Sequence, residues 1–187
     1  MVLNPEEGQE LLTAVKAVNA HRAATNEFVR AVNGLDPTLC QTPRAPGKWS
    51  PQQEIAHLVL TCCEFTAAVR RERVFELMVS KERAAQIHAT MLPRILRGGS
   101  FPSGAKAPPS VRPPRSMETV PVLLGQLQQA RRQLEFEVVS ACRIDPMRQV
   151  MHPYFGLLRL PELLALLAAH MRHHSKNIAP LVEYGAV

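Results

Sequence analysis

The chain has 187 residues, of which 46% are apolar and 20% charged, with a formal net charge of +6. That length suits one domain with a core of useful size, and that composition excludes a disordered or fibrous chain. No stretch approaches eighteen uninterrupted apolar residues, which argues against a membrane span. The start, Met1-Val-Leu-Asn-Pro-Glu-Glu, lacks the basic and apolar regions of a secretion signal, so a cytoplasmic location is expected.

A first helix is expected from about Pro5 to Val32, closed by the C-cap signal Asn33-Gly34. A Pro-rich connection, Asp36 to Lys48, follows. Ser50-Pro51-Gln52-Gln53 then opens a second helix, with an N-cap serine, proline at N1 and the N3 glutamine of a capping box. Apolar spacing carries it through Ile55, Leu58, Cys62, Phe65 and Val69, and allows it to persist past Arg73. About Ser80 to Leu96 fits a further short helix.

From Arg97 to Arg115 the glycines and prolines forbid regular structure, and so long a link marks a crossover or a functional loop. A third helix runs from Ser116 to about Cys142, with Pro121 tolerated near its first turn. Asp145-Pro146 starts another loop, which ends in His152-Pro153-Tyr154-Phe155-Gly156. The fourth helix opens near Pro161 and continues to about Glu183. There is no internal repeat, heptad array or alternating strand pattern. The expected fold is all-α: residues 1–187 form a single four-helix bundle with a long crossover between helices two and three.

Much of the basic excess lies between Pro93 and Arg115, where Arg94, Arg97, Lys106, Arg112 and Arg115 meet no acid. With one aromatic, Phe101, the segment offers no stacking platform, so nucleic acid is not the expected partner. A solvated loop is the plain reading; a loop that attracts a small anionic substrate or cofactor is the sharper one. Cys40, Cys62, Cys63 and Cys142 show neither zinc spacing nor a disulfide framework, and read as small buried hydrophobes.

Histidines carry the chemistry. On a helical wheel starting at Leu163, His170 falls at about 340° and His174 at about 20°, within the apolar stripe of Leu166, Leu167, Ile178 and Leu181. His173, at about 280°, lies on its edge. Two imidazoles buried at the centre of a stripe need partners, because an unpaired buried polar group costs a few kcal/mol. Either each has its own hydrogen bond, or one divalent metal serves both. His57 sits beside the polar minority of the second helix, Gln53, Thr61 and Glu64. That strip faces solvent or lines a polar pocket, and periodicity favours solvent.

Trp49-Ser50-Pro51-Gln52-Gln53 followed by His57-Leu58 resembles the Trp-Ser/Thr-Pro…His-Leu motif opening the second helix of the DinB/YfiT-like family of metalloenzymes. His170-Met-Arg-His173-His174-Ser-Lys-Asn177-Ile178 is similar to that family's closing His-x-x-His-His-x-x-Gln-Ile element. His152-Pro-Tyr-Phe155-Gly156 resembles a segment that precedes the last helix in some members. The resemblance implies a four-helix bundle, commonly a homodimer, holding a divalent metal by His57, His170 and His174. Nickel or zinc is the first expectation, and iron, manganese or cobalt are alternatives. His173 matches a histidine that does not usually ligate. Asn177 replaces the usual glutamine, a change expected to leave the metal unaffected.

Three neutral imidazoles would leave the charge of such an ion uncompensated and coordination positions open. A bound water would be acidified towards a pKa of about 7 on zinc, and a thiol would bind as thiolate. The resemblance implies first a thiol-dependent S-transferase or related detoxifying enzyme, using a low-molecular-weight thiol on a small-molecule substrate. A hydrolase with metal-activated water is the second reading, with Glu64 either a partner of His57 or proton carrier or simply a solvated glutamate, and His152 either at the pocket mouth or in a capping or loop role. A non-catalytic dimeric bundle that binds a metal or small ligand is the third.

Overall fold

In the computed structural model, which describes residues 5–98, 100–101 and 106–184, the chain is predominantly helical. The helices are α1 (Pro5–Asn33), α2 (Pro51–Val69), α3 (Lys81–Thr90), α4 (Leu92–Leu96), α5 (Val120–Ile144) and α6 (Leu160–Tyr184). Short 3-10 turns occupy Leu39–Gln41 and Pro109–Val111. Strands β1 (Gln149–His152) and β2 (Gly156–Arg159) pair antiparallel just before α6.

α1 packs chiefly along α6 and α2 along α5, and α1 also touches α5. The reason is visible in α5, where Leu123, Leu127, Leu134, Val138 and Ala141 recur at helical spacing and are all buried. α6 buries Leu163, Leu164, Leu166, Leu167, Ala168, Met171 and Ile178, a stripe wide enough to serve several neighbours. No helix among the described residues is long and apolar enough to cross a membrane.

Local chemistry fixes the boundaries that matter to the site. Ser50 Oγ accepts from the Gln53 amide at 3.3 Å, and Gln53 Oε1 accepts from the Ser50 amide at 2.9 Å, closing the capping box. α2 therefore starts where expected, but it stops at Val69 and does not persist past Arg73; Arg71 turns the chain away at a φ of 66°. The expected short helix is two, α3 capped by Ser80 and then α4. α5 begins at Val120 rather than Ser116, with Pro121 in its first turn. The described residues between Arg97 and Arg115 are irregular except for the turn at Pro109–Val111, residues 99 and 102–105 of the expected loop lying outside the described residues. The charged side chains Arg97, Lys106, Arg112 and Arg115 are exposed.

The strand pair corrects the expectation of a loop from Asp145 to Gly156. Val150 faces Leu158 and His152 faces Gly156 across a three-residue turn. Gly156 has a φ of 70°, the left-handed conformation such a turn requires and glycine adopts without strain. Strands of four residues are too short for alternation to announce them, and Val150 and Leu158 are the pair that reaches the core. Cysteines 40, 62 and 142 are buried as expected, whereas Cys63 is exposed on the outer side of α2.

Candidate metal centre

α2 and α6 bring His57, His170 and His174 together, one ring nitrogen from each lying within 4.8 Å of the others. The Nε2 atoms of His57 and His170 are 3.4 Å apart, and those of His170 and His174 are 3.0 Å apart. Two nitrogens about 2.1 Å from a shared ion stand about 3.0 Å apart at a right angle and about 3.4 Å apart at the tetrahedral angle. The donor set and these two spacings therefore fit a divalent ion.

The tautomer of His57 supports this. Its Nδ1–H donates to the carbonyl oxygen of Val111 at 2.7 Å, which leaves a lone pair on Nε2, the nitrogen turned to the cluster. The Trp49 ring lies against the same imidazole, centroids 4.8 Å apart. Together the Val111 turn and Trp49 lie over His57, which is 5% exposed and does not face solvent as periodicity favoured. A wheel drawn for one helix does not contain the segment that folds over it.

His174 has an outer partner that sequence reasoning missed. Glu54 Oε2 stands 3.3 Å from His174 Nδ1, the nitrogen opposite the cluster, although the pair is not aligned as a hydrogen bond. Glu54 Oε1 accepts from Asn177 Nδ2 at 3.2 Å, and Asn177 Oδ1 accepts from Arg44 Nη1 at 2.7 Å. Asn177 thus reaches the surroundings of the site through Glu54. The available signal was spacing: Glu54 lies one turn before His57, and Asn177 three residues after His174.

Burial sets the protonation states. It lowers the pKa of His57 and pushes His170 and His174 well below the ordinary imidazole value, aided for the latter two by neighbouring imidazoles. All three are neutral, ligating forms at neutral pH. Burial raises the Glu54 carboxyl to about 7, against the opposing pull of Arg44 and Asn177.

The remaining candidates stand elsewhere. Glu64 lies two turns beyond His57, about 10 Å along α2, and forms an ion pair with Arg73. His152 Nδ1 accepts from the amides of Tyr154 and Phe155 at 3.1 and 3.4 Å, so it caps its own hairpin turn. Its ring stacks on Phe65 and meets Phe155 edge-on, and burial lowers its pKa to about 3. His173 is half-buried, with its ring 5.5 Å from that of Phe101.

A family model described as the DinB superfamily matches residues 20–178. No curated protein and no solved structure matches the chain.

Proposed function

The chain belongs to the DinB superfamily, and from that premise we propose a divalent-metal-dependent enzyme, a thiol-dependent S-transferase or related detoxifying activity acting on a small molecule. The metal ligands in this reading are His57, His170 and His174, with nickel or zinc the first choices. α1, α2, α5 and α6 are taken as the four helices of the bundle, residues 70–119 as its crossover, and a homodimer as the assembly.

The observation that carries the proposal is the convergence of three neutral imidazole nitrogens on one point between α2 and α6. When bound there, a divalent ion supplies Lewis acidity to a thiol or water in its open positions. The chain's own residues do the rest. Val111 holds the His57 ring in the ligating tautomer. Glu54, anchored through Asn177 to Arg44, stands against the outer nitrogen of His174. Trp49 lies against the His57 ring and Phe101 against that of His170.

The hydrolase reading is less supported, since its candidate proton carrier Glu64 is committed to Arg73. The discriminating experiment incubates metal-loaded protein with low-molecular-weight thiols and a model electrophile, with and without chelator. Chelator-sensitive consumption of both reactants supports the transferase. Turnover of an ester or amide without thiol favours the hydrolase, and metal binding with neither reaction favours a binding protein.

A further inference from the structure

Access to the three imidazoles is uneven. His57 and His174 are each 5% exposed, whereas His170 is partly exposed, so a molecule reaches the cluster over His170. Phe101 stands on that side, its ring 5.6 Å from His170 and 5.5 Å from His173. The same ring walls a cavity of about 130 Å³ between α6 and the segment leaving α4. On the α6 side the walls are Ala169, Arg172, His173 and Lys176, a stripe adjoining His170 and His174 on the helix; Ile95 adds a second apolar surface.

The charge around this space has one sign. Arg172 and Lys176 bring two basic side chains to the wall, and no carboxylate is among the described residues that line the cavity. Glu54, the acid nearest the imidazoles, stands at the outer nitrogen of His174 and is engaged by Asn177. The volume equals the share of about four water molecules in the liquid. That is room for a charged head and a short apolar body lying on Phe101 and Ile95.

We propose that this cavity binds a small organic carboxylate, its anionic head held by Arg172 and Lys176 and its body against Phe101, beside the imidazole cluster. The proposal deepens the metalloenzyme reading by naming the substrate class, but the binding it describes needs no metal. That separates the two in an experiment.

The test titrates chelator-treated protein with benzoate, and with its neutral analogue benzyl alcohol, following amide and imidazole resonances by NMR. Benzoate is expected to bind at least about tenfold more tightly than benzyl alcohol, with an affinity that falls as salt rises. Its shifts should centre on Phe101, Ala169 and His173. The double variant Arg172→Gln, Lys176→Gln should lose about tenfold in benzoate affinity and leave benzyl alcohol unchanged; both side chains are at least partly solvent-accessible, so folding should survive. Phe101→Ala should weaken both ligands. Equal affinities for the two ligands, or unchanged benzoate binding in the double variant, would overturn the proposal while leaving metal binding at the imidazoles standing. Loss of metal binding with benzoate selectivity intact would overturn the metal reading instead.

Discussion

His57 Nδ1–H donates across 2.7 Å to the carbonyl oxygen of Val111, tying the crossover to the helix that carries the first imidazole. A backbone carbonyl only accepts, so the proton is on Nδ1 and the lone pair on Nε2. Long-range nitrogen–proton NMR of the metal-free protein should show His57 as the Nδ1–H tautomer. A spectrum showing the Nε2–H form would mean that the ring is not set for ligation.

Glu54 and Asn177 act on the site through His174. Groups in this outer position typically change metal affinity by about 10–100-fold. Glu54→Ala should weaken metal binding within that range, and Asn177→Ala, which frees Glu54 Oε1, should weaken it less. The informative readout is the rise in melting temperature on adding metal. A purely structural role would lower the melting point of the metal-free protein and leave that increment unchanged.

Acid should destabilise the fold before the exposed carboxylates protonate. His152 is held neutral by burial, its pKa lowered from 6.5 to about 3, and His57, His170 and His174 are displaced in the same direction. The unfolded chain takes up these protons below about pH 6.5 and the folded chain does not. Stability is thus fully present above about 6.5 and is lost as pH falls towards 3, by up to about 1.4 kcal/mol per pH unit for each such histidine. Glu54, its carboxyl raised to about 7, opposes one histidine's share between about pH 7 and 4.5, and thermal melts of metal-free protein should still drop through this window. His152→Asn, which keeps an acceptor for the Tyr154 amide, should drop less steeply.

Away from the metal centre, α5 buries a charged pair. Arg131 Nη1 donates to Glu135 Oε2 at 2.6 Å, and His21 Nδ1 lies 3.3 Å from the other carboxylate oxygen, with Arg131 and Glu135 side chains 7% and 5% exposed. Glu135→Ala leaves a guanidinium buried without its partner, at a cost of about 3–5 kcal/mol in urea unfolding. Metal binding per folded molecule should be unaffected. A loss below about 1 kcal/mol would show that water replaces the carboxylate.

The parts of the molecule legible in the sequence are those set by contacts within one helix. Ser50, Pro51 and Gln53 announce the start of α2 because a capping box is a local hydrogen-bond exchange. His170 and His174 announce their shared face because four residues make about one turn. What was not legible depends on segments far apart in the chain. His57 is buried by a turn 54 residues away, and Glu54 meets Asn177 across 123 residues. The hairpin before α6 went unread because each strand offers one core residue, Val150 or Leu158. The family resemblance supplied the place of His57 that its own helix did not.

The most direct measurement is the metal content of protein purified without a metal-affinity tag, for the wild-type chain and for His57→Ala, His170→Ala and His174→Ala. About one divalent ion per wild-type chain is expected, with substantial loss in each variant and helical content retained. Full occupancy in His57→Ala and His174→Ala would contradict the assignment of the three imidazoles as one site.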